Sequence, residues 1–340
     1  MTGPPFLVSA QQPGQHRRCR VQQLLGGRAT RGGAGEQALA CGQDHLGGLL
    51  GGGPGRHQLR QDPLQQGRQR RRHRAVVYGD PLGDDSVPCC ESRPDFARIA
   101  DGVDAVRAAA RDEFRKGAAH LKVLLSGGVA SPHDEIAAVQ YSEDEIRAAV
   151  EEAENHNRYV TAHAYHPRAI DRALRAGVRC VEHGNLIDDA TIALLLERDA
   201  FLVPTLIAYE QTAKLGRQSG LPESSYRKLT EVRDHGLAAL EKAHRAGVNL
   251  VHGSDLLGPL HPAQLEEFTL RAEVQPAADV IRSATSTAAR LLRMEGEIGT
   301  LAPGAHADLL VVDGDPLADL AVLTRPERHL RHVVKAGAVL

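Results

Sequence analysis

No stretch of this chain approaches 18 consecutive apolar residues, so nothing in it reads as a membrane-spanning helix. Its first residues lack the charged-then-apolar pattern of a secretory leader, and none is expected. Cysteine is scarce. Cys19, Cys41, Cys89, Cys90 and Cys180 lack the paired spacing of a disulfide framework or a zinc knuckle, and their odd number leaves one thiol outside any intramolecular bridge. A reducing cytoplasm is the compartment such usage predicts. Net charge is only −2, which removes any global electrostatic case for nucleic acid or an anionic membrane. Lysine is missing from residues 1–75, where 12 arginines face three acidic residues. That part carries about +9 and the remainder about −11. Finally, no His-x-His occurs anywhere.

What is present divides into three parts. Residues 1–97 are dominated by Gly, Gln, Arg and His, with runs such as GGLLGGGPG and QQGRQRRRHR. Neither a helical nor a strand period is sustained, and there is little apolar surface to offset the entropy of ordering. Two readings stand: a disordered segment, or the product of a shifted reading frame in a GC-rich gene. A basic arm for nucleic acid is a weaker third, because aromatic residues for stacking are almost absent.

From residue 98 to 295 the texture changes. VDAVRAAARDEFRKG has a helical period ending at Gly117, and AHLKVLLSGG reads as a strand running into a turn. Ser142 with Glu145 three residues on is a capping-box pattern. RYVTAHAY, VRCVEHGN, AFLVPTL and VNLVHGSD read as strands. The segments between them, with residues 222–246 and 276–292, read as helices. Alternating helices and strands with continuously apolar or small strand interiors predict a parallel sheet covered by helices. Five consecutive units fit the later part of a (β/α)8 barrel, an α/β TIM barrel incomplete at its N-terminus. Residues 296–340 have short strands and turn glycines and read as a small β-element.

Four ionisable residues fall at the ends of these strands. Lys122 is costly on an interior strand unless it is neutralised or used; a salt bridge and a carboxylated, metal-bridging lysine both satisfy that requirement. His163 and His183 end the next two strands, and neutral imidazole is a common ligand for divalent zinc. Asp255 closes LVHGSD, either as a helix cap or as a carboxylate that ligates metal and handles a proton. His156, His166, His252 and His261 read as bystanders.

IADGVDAVRAAARDEFRKGAAHLKVLLSGGVASP, TAHAYHPRAIDRALRAGVRCVEHGNLID, FLVPTLIAY, GSDLLG and GTLAPGAHADLLVVDGDPL resemble the amidohydrolase superfamily, in its imidazolonepropionase-related, Xaa-Pro dipeptidase-like branch. The resemblance implies a barrel with a small β-sandwich built from both chain ends. It also implies a binuclear divalent metal site, usually zinc. By it, Lys122 carboxylated by CO2 would bridge the metals, and His163 and His183 would hold the second one. Asp255 would be ligand and general acid/base, and Tyr209 would meet the substrate. Arg168 and His261 lie in loops that could line the pocket. The family's His-x-His pair, which holds the first metal, has no counterpart here, nor do the first three barrel strands before residue 98.

The function expected is hydrolysis of amide or peptide C–N bonds in small carboxylate-bearing molecules, such as N-acyl amino acids, Xaa-Pro dipeptides or related amides and carbamates. The alternative is a catalytically defective fragment; a deaminase of the same superfamily is weaker, because its single-metal site does not need the strand lysine. The partner expected is a small-molecule substrate, with no nucleic acid and no membrane; homo-oligomerisation is left open.

Overall fold

A computed structural model describes residues 6–9, 76–78, 98–129, 135–215, 223–256 and 258–340. The expectation of disorder or a shifted frame in residues 1–97 therefore falls almost wholly outside the described residues.

Period-two burial sets the sheet. In β4 (Leu121–Leu124), Leu121 and Val123 are buried, while Lys122 and Leu124 are only partly covered. β5 (Val160–Ala164), β6 (Cys180–His183), β7 (Phe201–Val203) and β8 (Asn249–Leu250) follow β4 in parallel order. The helices α1 (Val103–Arg115), α2 (Glu143–Asn155), α3 (Pro167–Arg175) and α4 (Asp189–Glu197) contribute to one apolar core with these strands. Three of these helix entries are locally encoded. Ser142 and Glu145 form the capping box, Pro167 opens α3, and the Asp188 side chain accepts from Thr191 N at 2.8 Å. Two helices separate β7 from β8: α5 (Leu206–Leu215) and the long α6 (Glu223–Ala246).

Two short segments upstream join this frame. Phe6–Ser9 (β1) lies antiparallel beside β9 (Leu309–Val312), which also pairs with β10 (Leu330–Lys335), itself paired with β11 (Ala338–Val339). The small sheet thus uses both chain ends, as the resemblance implies. Val76–Tyr78 (β2) pairs antiparallel with β4 on one side and with β3 (Arg98–Ile99) on the other. Among the described residues the larger sheet is an open arc of seven strands edged by β3 and β8.

Three elements differ from the sequence pattern. The last parallel strand stops at Leu250, and Asp255 lies in the irregular segment beyond it. The helical stretch 276–292 breaks at Thr285 into α8 (Ala277–Ala284) and α9 (Ser286–Leu291). Before it come a 3-10 stretch, Gly258–Glu266, and α7 (Glu267–Arg271). Within 296–340, two one-turn helices, α10 (Ala321–Thr324) and α11 (Pro326–His329), interrupt the strands.

Candidate active site

Lys122 and Glu182 line one cavity from strands two apart. On the intervening strand β5, Thr161 is in register with Lys122, and His163 is in register with Glu182. The lysine ammonium crosses the intervening strand to form an ion pair with Glu182. Burial alone would raise the Glu182 carboxyl; the adjacent Lys122 charge outweighs it and holds the group below its usual range.

Strand alternation should place His183 on the opposite face from Glu182. Instead both line one cavity of about 140 Å³, together with Lys122, Thr205, His252 and Asp255. The reason is backbone conformation. His183 has φ 76°, and the left-handed region turns its side chain inward at the strand end. Thr205 (φ 52°) and Asp255 (φ 49°) share that region. Such conformations cost about 1–3 kcal/mol each and concentrate at functional sites.

His183 Nδ1 lies 2.7 Å from Thr205 Oγ1, while its Nε2 is buried with no hydrogen-bond partner. Burial drives this imidazole well below its ordinary range, and the His163 and Lys122 charges push the same way. His163 packs edge-on to His183 with ring centroids 4.5 Å apart, and its Nε2 is 3.4 Å from Gly127 O. Burial and then Lys122 bring its pKa down to about 4. Both rings are therefore neutral near pH 7, the form that ligates metal. Asp255 is exposed to solvent, and protein also crowds its carboxyl. That crowding raises its carboxyl above the ordinary carboxylate range, with Lys122 opposing.

Tyr209 is buried behind this cluster. Its hydroxyl is 3.4 Å from both Thr205 Oγ1 and the Tyr165 hydroxyl, and Tyr165 stacks on His183 at 5.0 Å. Burial holds the Tyr209 phenol well above its ordinary range.

Of the residues singled out in the sequence, Lys122, His183 and Asp255 share the cavity, and His163 and Tyr209 pack against His183. Arg168 and His261 do not line it: Arg168 donates to Ala137 O, and His261 meets Gln264. His166 caps α3, and His156 stacks on Phe114, as bystanders do. His252 differs. It lines the cavity and stacks on Phe268 at 4.1 Å. Glu182, Thr205 and Tyr165 went unread. A carboxylate one residue before a candidate ligand in VEHGN was the available signal for Glu182, masked by the alternation rule. Thr205 and Tyr165 carried no local signal.

The donor set fits one divalent cation better than two. Two neutral imidazoles lie side by side, one with Nδ1 hydrogen-bonded and Nε2 unpartnered, as outer-shell orientation of a ligand requires. Lys122 is an ammonium paired with Glu182 and becomes a ligand only if carboxylated. Among the described residues no three His, Cys, Asp or Glu side chains converge tightly enough to hold a metal.

Parallel strands wrapped by helices, with ionisable side chains gathered at their C-terminal ends, define the (β/α)-barrel class of α/β enzyme fold. Within that class the chain belongs to the Amidohydrolase family, whose model matches residues 76–340. It is 34% identical over 270 residues to an ochratoxinase of Aspergillus niger, covering 77% of this chain and 55% of that protein. The crystal structure of a prolidase complexed with N-methylphosphonate-L-proline is similar, with 48% identity and a TM-score of 0.71 over 76% of this chain and 64% of that one. So is that of a Xaa-Pro dipeptidase with bound methionine in the active site, with 31% identity and a TM-score of 0.67 over 71% of this chain and 59% of that one. The chain spans just over half the length of the ochratoxinase and less than two thirds of either solved chain. No helix among the described residues is long and apolar enough to cross a membrane.

Proposed function

We propose that this amidohydrolase cleaves amide-type C–N bonds in small carboxylate-bearing substrates, N-acyl amino acids and Xaa-Pro dipeptides foremost. The observation that carries the reading is the convergence of Lys122, Glu182, His183 and Asp255 on one cavity at the strand ends. The names of its relatives, a prolidase, a Xaa-Pro dipeptidase and an ochratoxinase, point to the same substrate class. His163 and His183 would hold a divalent cation, zinc by the family's habit, and CO2 would convert Lys122 into a further ligand. When bound, the cation supplies Lewis acidity that activates water near neutral pH. Thr205 holds the His183 ring in one tautomer through Nδ1. Asp255, at the accessible edge of the cleft with a raised pKa, takes a proton at its carboxylate and returns it to the departing nitrogen. Tyr209 is the least direct member, because its hydroxyl meets Thr205 and Tyr165 rather than the cavity. The division into residues 1–97, 98–295 and 296–340, and a cytoplasmic setting, belong to the same reading.

A second reading has its own observations. The chain has no His-x-His, and no three-ligand group occurs among the described residues, as a defective fragment binding at most one metal would have it. Turnover with bound zinc separates the two. The protein is loaded with zinc in bicarbonate buffer, freed of excess and assayed against a panel of Xaa-Pro dipeptides and N-acyl amino acids. Zinc bound with release of free amino acid supports the hydrolase; no turnover, with one zinc per chain or none, supports the fragment.

A further inference from the structure

Glu267 and Arg271 are both fully buried, and nothing proposed above uses them. They lie four residues apart on α7, so they share one helix face. Glu267 Oε2 accepts from Ile207 N at 2.8 Å, and the backbone at Leu206 bonds the same carboxylate. Those amides open α5 and are among the donors that a helix start leaves without intrahelical partners. The residue before them is Thr205, whose hydroxyl holds His183 Nδ1, and one turn further on is Tyr209. From the same face, Arg271 Nη1 donates to Val251 O at 3.1 Å, and Nε donates to Gln275 at 2.8 Å. Val251 immediately follows β8, and its own amide donates to Leu202 O on β7 at 2.9 Å. Between the two charged residues, Phe268 stacks on His252, a wall of the cavity. One turn of helix thus grips the end of β7, the start of α5 and the segment leading to Asp255.

We propose that Glu267 is a positioning residue that orients His183 through the α5 start and Thr205, with Arg271 tying the Asp255 segment to the same brace. A carboxylate buried this deeply carries a large desolvation cost unless its bonds are used. Its use here is to cap a helix whose preceding residue, in a left-handed conformation, touches a ligand-type histidine. The inference rests on the reading of His183 as a metal ligand only for its consequence on metal affinity; the orientation itself is a property of the metal-free chain.

The test uses the full chain with Glu267→Ala, Glu267→Gln and the neighbouring control Glu266→Ala. Histidine side-chain 15N–1H spectra of the metal-free proteins report the His183 Nδ1 environment, and chelator competition reports zinc affinity. Glu267→Ala is expected to shift the His183 Nδ1 resonance and to lower zinc affinity by about tenfold or more, the usual penalty for losing outer-shell support. Glu267→Gln keeps one acceptor oxygen and should shift the same signal less, and Glu266→Ala should leave it in place. An unchanged His183 signal in a folded Glu267→Ala protein overturns the proposal. If that variant does not fold, Glu267→Met, which keeps the bulk and offers no acceptor oxygen, decides: a shifted signal with an intact melting transition supports the brace, and an unshifted one overturns it. A wild-type chain that binds no zinc defeats the metal reading while leaving the spectroscopic test intact.

Discussion

An ammonium and a carboxylate meet across the intervening strand β5, and that pairing neutralises Lys122 on an interior strand. A carbamate formed on Lys122 would be anionic beside Glu182, so it needs cations in the cavity to be stable; carboxylation and metal loading should therefore occur together. His183 depends on a single hydroxyl for its orientation. Thr205→Val preserves shape and removes that hydroxyl, and zinc affinity measured by chelator competition should fall about tenfold with the fold retained. Glu182 was hidden from sequence reasoning by a conformation: alternation assigns neighbours to opposite faces, and φ 76° at His183 cancels the rule at one residue.

At the level of elements, what was local was legible. The start of α2 was readable because Ser142 and Glu145 satisfy each other's backbone amides within four residues, with Glu145 N to Ser142 Oγ at 3.3 Å and Ser142 N to Glu145 Oε2 at 2.8 Å. Ser142→Ala removes one half of that exchange and should cost about 1 kcal/mol in a urea denaturation series. The break at Thr285 carried no local signal, and a distant segment packs against it. Gly299 (φ +69°) packs so closely there that a Cβ on it would sit 2.5 Å from Thr285 O. The segment after β8 is equally tight against β7: a Cβ on Gly253 would meet Val203 Cγ1 at 2.5 Å. The segment carrying Asp255 therefore leaves the sheet early in a conformation set by packing rather than by propensity.

Across the whole molecule, the brace on α7 leaves a pH signature. Burial raises Glu267 to about 7, with Arg271 opposing. Between about 4.5 and 7 the folded chain then holds a proton that the unfolded chain has released. The group's contribution is complete at low pH and is lost as pH rises through 7. The loss is roughly 3 kcal/mol at most, at about 1.4 kcal/mol per pKa unit. Urea midpoints should fall over that window, and Glu267→Gln, which cannot release a proton, should flatten this part of the slope.

By itself the sequence determined the barrel-type alternation, the starts of α2 and α3 and the candidate residues Lys122, His163, His183 and Asp255, because periodicity, caps and residue chemistry act over a few positions. Only the tertiary structure decided their partners. Glu182 meets Lys122 across an intervening strand, Thr205 meets His183 from a second βα unit, and Glu267 caps Ile207 from 60 residues away. Such contacts form when the sheet curves and the helices pack on it, so no short window of sequence contains them.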